Sequence, residues 1–257
     1  MTTPIRPFPL IHTLLCWVLC WCAGIVSADE TGENRTVDNR IVKVRLDGIV
    51  DLRVRQGSVA SLRITGDKRY LDKVTASQSG DTLVLDTDIS GVRLSRPSLR
   101  ADLVLPGLRE LVSEGVGSTE VSGFTGDQLD ITLDGAGSMK LTAEYRRLRA
   151  NLGGVGSMHV WVKDSESVEL DLRGAGYVTI GGRSKLLRAS LGGLGGLNAQ
   201  QFDADSVNID LSGLGNATVN ARTNLDLNLS GLGSVTVYGK PLNRNVSVDG
   251  LGRVSWK

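Results

Sequence analysis

From about residue 111 to the end of the chain, apolar and polar residues alternate with period two, in register with a recurring tripeptide of glycine, a small or branched apolar residue, and glycine. The tripeptide begins at Gly115, Gly135, Gly154, Gly174, Gly193, Gly213, Gly231 and Gly250, at intervals of 18 to 20 residues. Two residues before it stand Ser113, Leu133, Leu152, Leu172, Leu191, Leu211, Leu229 and Val248; four before it stand Leu111, Ile131, Ala150, Leu170, Ala189, Ile209, Leu227 and Val246. Six after its first glycine come Val121, Leu141, Val160, Ile180, Ala199, Val219, Val237 and Trp256. The column five after it is polar throughout: Glu120, Lys140, His159, Thr179, Asn198, Thr218, Thr236 and Ser255. Alternation of this kind predicts half-buried strands rather than helices.

A unit of about twenty residues cannot bury its own apolar face, whereas stacked copies share one core. The predicted fold is therefore all-β, a parallel β-helix (β-solenoid) with about 19–20 residues per rung. The glycines Gly115 and Gly117, Gly135 and Gly137, Gly154 and Gly156, Gly174 and Gly176, Gly193 and Gly195, Gly213 and Gly215, Gly231 and Gly233, and Gly250 and Gly252 are read as structural corners. They are expected to supply unusual backbone angles and close packing on identical corners above and below. The interposed Val116, Ala136, Val155, Ala175, Leu194, Leu214, Leu232 and Leu251 are expected to fill the interior at the bend.

Charge separates two ways of coiling. Lys140, Arg146, Arg147 and Arg149 in one repeat are followed by Asp164, Glu166, Glu169 and Asp171 in the next, then by Arg183, Lys185 and Arg188, then by Asp203, Asp205 and Asp210. One repeat per coil sets opposite charges on neighbouring rungs, while two repeats per coil stack like charges, which is unfavourable across paired strands. The first arrangement is expected, with weak surface pairs.

Residues 40–110 alternate without the tripeptide, as in Val42, Val44 and Leu46 or Val50, Leu52 and Val54. No linker divides them from the rungs, so residues 40–257 are read as a single domain, with 115–257 its regular part and the N-terminal strands completing or capping one end. Trp256, in a core column, is expected to plug the other end. Residues 29–39 are read as a flexible segment.

The first 28 residues read as a signal peptide. Arg6 is the one charge before Asp29, Leu10 to Val26 is mostly apolar, and Val26, Ser27 and Ala28 suit a cleavage site. All three cysteines, Cys16, Cys20 and Cys22, lie within it, so no disulfide is expected in the processed chain. Of 29 basic residues, removing Arg6 leaves 28 against 28 acidic ones. That balance offers no net field to steer nucleic acid or anionic lipid.

The N-terminal strand block, the Pro106-Gly107-Leu108 step and the Gly-x-Gly rungs that follow resemble the bacterial head GIN domain family, labelled autotransporter adhesin heads. The likeness runs from about Arg40 to Trp256. It implies a β-helical exported domain with no catalytic residues to carry over. Where that family often has Asp after the second glycine, this chain has Ser118, Ser138, Ser157, Tyr177, Gly196, Asn216, Ser234 and Arg253.

Familiar chemistry does not assemble on these residues. A dinucleotide fingerprint needs a further glycine three residues after the second, and the rungs lack it. Gly239-Lys240 runs into Pro241, and no glycine opens a phosphate loop before it. Calcium rolls use repeats half this length. His159 is the one histidine beyond the leader, so His-based metal clusters and Ser-His-Asp sets lack parts. Asp164, Glu166, Asp203 and Asp205, with Arg147, Lys185 or Arg188, could form an acid–base set of the kind polysaccharide-cleaving β-helices use, provided two carboxyls meet at the right separation. His159, with Trp161 and Tyr238 in the column seven after the first glycine, are the candidate surface binding residues.

These features predict an exported, non-enzymatic binding or adhesion module of the bacterial envelope, periplasmic or extracellular. No cofactor and no metal are expected. The expected partner is an envelope or extracellular ligand, glycan or protein; nucleic acid is not expected, and membrane contact is confined to the signal peptide. A structural protein that self-associates through the solenoid ends, and a polysaccharide-active enzyme, are the competing expectations.

Overall fold

Short alternating stretches open the fold and long ones continue it. The computed structural model describes residues 31–87 and 99–257, so the expected signal peptide and its cysteines lie outside the described residues. The first strands are β1 (Thr31–Arg35), β2 (Lys43–Leu46), β3 (Asp51–Gln56) and β4 (Ser61–Gly66). A single helical turn, α1 (Lys68–Leu71), is capped by the Asp67 carboxylate, which accepts from the Arg69 backbone N–H. Then come β5 (Val74–Ser79), β6 (Thr82–Thr87), β7 (Arg100–Leu105) and β8 (Glu110–Ser113). Six ribbons follow, each one full coil: β9 (Val116–Leu133), β10 (Ala136–Leu152), β11 (Val155–Leu172), β12 (Ala175–Leu191), β13 (Leu194–Leu211) and β14 (Leu214–Leu229). Three short strands, β15 (Ser234–Tyr238), β16 (Asn243–Val248) and β17 (Arg253–Trp256), end the stack.

The ribbons pair in parallel with the tripeptides in register. Gly137 lies between Gly117 and Gly156, and Leu141 between Val121 and Val160. One repeat is therefore one coil, and the whole is a β-solenoid of about 7 turns. Unequal repeat lengths are absorbed by register shifts downstream of the corner, between Val162 and Asp164 and between Ala199 and Asp203. The early strands enter the same stack: β2 pairs in parallel with β6 and β8, and β3 with β7 and β9. The antiparallel pairs β1–β4, β4–β7 and β5–β6 close this end, as the capping expectation required. Of residues 29–39, expected to be flexible, Thr31–Arg35 instead form β1, and the Arg35 guanidinium donates to the Val74 carbonyl at 2.6 Å.

Apolar columns fill one continuous interior as far as Val235 and Val237, with Phe124 and Phe202 its largest fully buried side chains, whereas Val246 and Val248, in the same columns on the last coil, are exposed. The charge expectation holds as well. Arg146 is paired with Asp127 on one side and Glu166 on the other, and Arg149 with Asp130 and Glu169, at 3.0–3.6 Å. Lys163–Glu144, Arg183–Asp203 and Arg222–Asp205 also bridge neighbouring rungs.

Three expectations need correction. The residue between the glycines faces solvent: Val155 is 62% exposed, Leu194 57%, Leu214 50%, Leu232 55% and Leu251 89%. Period two runs through the corner unbroken, so a residue one after the first glycine has the same outward parity as the polar column five after it. Most corner glycines are also not selected by unusual angles. Among them only Gly117 and Gly195 have positive φ, at 154° and 159°, where a side chain is strained as well as crowded. What excludes a side chain is crowding: a Cβ on Gly137 would overlap the Gly117 carbonyl oxygen, and one on Gly193 would sit 2.5 Å from the Arg173 oxygen. Finally, Trp256 only half-plugs its end. It is 42% exposed, with the Arg244 guanidinium 4.7 Å over its ring.

Candidate binding faces

Two outward faces carry the polar and aromatic side chains singled out by sequence. The first holds the columns five and three before the glycines, where β10 to β14 run side by side. There the register sets Arg149, Glu169, Arg188, Asn208 and Asp226 in one ladder, and Asn151, Asp171, Ser190, Asp210 and Asn228 in the next. The two ladders line a shallow depression of ≈ 450 Å³. Its carboxylates are engaged. Glu169 accepts from Arg149 at 3.0 Å, Asp171 pairs with Arg173 at 2.7 Å, and Asp226 accepts from Asn245 at 3.0 Å. Asp210 accepts a long bond from Asn228 at 3.5 Å. Arg188 differs: it stands between Glu169 and Asn208 in the register, yet no ion pair involving it is formed among the described residues.

The second face follows the glycines and holds His159, Trp161 and Tyr238. His159 is exposed between Lys140 and Thr179. Trp161 is half-exposed and leans over Gly181 on the next rung, where a Cβ would collide with its six-membered ring. Tyr238 is four rungs away, paired with Asn220. At about 4.8 Å per rung the two rings are about 19 Å apart and form no common platform. Sequence reading missed Tyr177, which is half-exposed and lies over Gly196 in the same manner. The signal was present, since Trp161 and Tyr177 are each followed one rung later, in their own columns, by a glycine, Gly181 and Gly196.

The carboxylates proposed for acid–base chemistry each lie beside a basic residue of a neighbouring rung. Asp164 faces Arg183, Asp203 pairs with Arg183 at 3.9 Å, and Asp205 pairs with Arg222 at 3.6 Å. Glu166 is held below the usual carboxylate range by its hydrogen bond from Arg146. Among the described residues, no group of three or more His, Cys, Asp or Glu side chains could hold a metal ion. No helix among them is long and apolar enough to cross a membrane.

Residues 42–241 match the family described as "Putative auto-transporter adhesin, head GIN domain". The chain belongs to this family. Solved structures share the fold of this head GIN domain. A "putative adhesin" from Parabacteroides merdae superposes with a TM-score of 0.81 at 20% identity, covering 90% of this chain and 97% of that one. A second, from Parabacteroides distasonis, gives 0.78 at 19% identity, covering 90% and 98%. A "putative lipid binding protein" of the same species gives 0.74 at 19% identity, covering 89% and 97%. Among proteins of curated function, none matches the head GIN chain.

Proposed function

We propose that this head GIN domain is an exported, non-enzymatic binding module of the bacterial envelope, and that the depression over β10–β14 is its contact face. The observation that carries this reading is the arrangement of its polar groups. Carboxylates there are bound by a guanidinium or an amide instead of facing one another, while Arg188, Asn208 and Ser190 present unsatisfied donors and acceptors on a stiff, regularly spaced ladder. Such a surface suits a hydroxyl-rich, extended ligand, of which an envelope polysaccharide is the simplest example. Preorganised side chains on strands lose little entropy on binding, so several weak hydrogen bonds can add up.

The test is a glycan-panel and envelope-extract binding screen with the wild-type protein and the Arg188→Ala, Asn208→Ala double variant. Binding that falls at least about tenfold in the double variant, with an unchanged melting curve, supports the assignment. Undiminished binding moves the contact to another face. Release of reducing ends or unsaturated products from any bound glycan would replace this reading with an enzymatic one.

A further inference from the structure

The exposed aliphatic column at the corner is a surface the binding reading does not use. Side chains beside it are small: Gly192, Ser212 and Ser230 precede the tripeptides, and Gly196, Asn216 and Ser234 follow them. Leu194, Leu214, Leu232 and Leu251 therefore stand clear of an open depression of ≈ 530 Å³ floored by glycine. Ladders of exposed leucine on an otherwise polar surface mark an interaction site.

Three neighbouring columns indicate what covers it. Over five successive rungs the column before the glycines reads Arg173, Gly192, Ser212, Ser230, Asp249. The interposed column reads Ala175, Leu194, Leu214, Leu232, Leu251, and the following one Tyr177, Gly196, Asn216, Ser234, Arg253. Reverse each column and set it against itself. Arg173 then meets Asp249, Ala175 meets the most exposed leucine, Leu251, and Tyr177 meets Arg253, a cation over an aromatic ring. The middle rung, Ser212, Leu214 and Asn216, meets itself. All three columns are self-complementary about the same two-fold axis, which is what an isologous pair requires. A parallel pair, turned about the solenoid axis, would instead lay the preceding column on the following one, setting Arg173 on Tyr177 and Asp249 on Arg253, so exchanging the charges of Arg173 and Asp249 separates the two arrangements. The Arg173 side chain is 80% exposed and its present partner, Asp171, stands two residues before it in the same rung, so it is free to take a second carboxylate.

The geometry points to an antiparallel homodimer, two copies joined corner to corner with the axis at Leu214. Five rungs of about 4.8 Å and three columns bury about 500 Å² per copy, or about 1,000 Å² in all, the lower limit of a specific interface. The dimer is therefore weak, with Kd of about 1–100 µM. Lipid fits the same corner less well. No basic or Trp belt flanks the leucines, and the nearby charges are of both signs.

Sedimentation equilibrium of the purified protein from about 1 µM to about 1 mM reads the proposal directly. The wild type is expected to dimerise, and Leu214→Asp, which strikes the seam twice, to weaken the dimer at least about tenfold. Arg173→Asp and Asp249→Arg should each weaken it, and the two together should restore it, because the exchanged charges meet again across the axis. A wild type monomeric throughout, a dimer indifferent to Leu214→Asp, or a double exchange without rescue would each overturn the proposal. So would a monomer that floats with phosphatidylcholine vesicles in a Leu214-dependent manner. The exchange variants are surface changes, so they decide the matter even if Leu214→Asp folds poorly.

Discussion

Gly192 and Gly193 are adjacent in one corner and should respond oppositely to the same methyl group. At Gly193 a Cβ would overlap the Gly174 carbonyl oxygen and lie 2.7 Å from the Arg173 carbonyl carbon. That oxygen accepts the Leu194 N–H at 3.0 Å, so moving the rung aside breaks a ladder bond. The lost bond costs about 1 kcal/mol and the overpacking about 1–3 kcal/mol, giving about 2–4 kcal/mol for Gly193→Ala. In a domain of this size that lowers the melting midpoint by about 5–15 °C. At Gly192 the nearest atom to a new Cβ is the Ser212 hydroxyl, 3.8 Å away, and the backbone is not left-handed. Gly192→Ala should be neutral, or stabilising by about 0.4–1 kcal/mol through a less flexible unfolded chain. Circular dichroism melts of the two variants suffice. Equal midpoints would mean that the corners are not held by close approach of neighbouring backbones, and the account of the glycine columns would fail.

Other outcomes follow from single contacts. Tyr145 donates to the Leu108 carbonyl at 2.6 Å and is buried, so Tyr145→Phe should cost about 1–2 kcal/mol in urea melts and expose the amides of the 106–110 loop to faster hydrogen exchange. Burial pushes the Tyr145 phenol up to about 12. Its contribution to stability is thus complete below the ordinary tyrosine value of about 10 and is lost as pH rises through about 12, which an ultraviolet titration of the phenolate would follow. Asp38 is lowered to about 2, chiefly by the hydrogen bond from the Arg40 side chain. The stability it confers is present above the unfolded value of about 3.9 and disappears only as pH falls through about 2; a carboxyl carbon titration with a midpoint near 4 would contradict the pairing. Phe202→Ala should be among the most damaging changes, at about 3–5 kcal/mol, because nothing mobile is at hand to fill the space.

Period two and the tripeptide spacing made the solenoid and its register readable before any coordinates. The sign changes between Arg149, Glu169 and Arg188 made the one-repeat coil readable too. The orientation of Leu194 and Leu214 was written in the same alternation, since they stand an odd number of places from the first glycine, but hydrophobicity outweighed parity. Tyr177 stood out only as a departure at the residue after the second glycine and not as a surface ring, because that reading did not connect it with Gly196 one rung on, which makes room for it. The polar depression could not be read at all. One of its columns alternates in sign and the other mixes acids with amides and a hydroxyl, as any solvated face does, and the distinguishing feature, that Glu169 and Asp171 are paired while Arg188 is not, depends on side-chain distances.

The backbone of this solenoid repeats at every rung, but its charge repeats only at every second one. Remove β12 alone and the glycines of β11 and β13 could still stack, yet Asp164 would come to rest beside Asp203 on the shortened sheet. Excise β12 and β13 together and the acidic rung β11 would meet β14, whose Arg222 already serves an aspartate. The molecule can thus be shortened or lengthened most cheaply in pairs of turns, like a ruler whose marks are single but whose colours alternate.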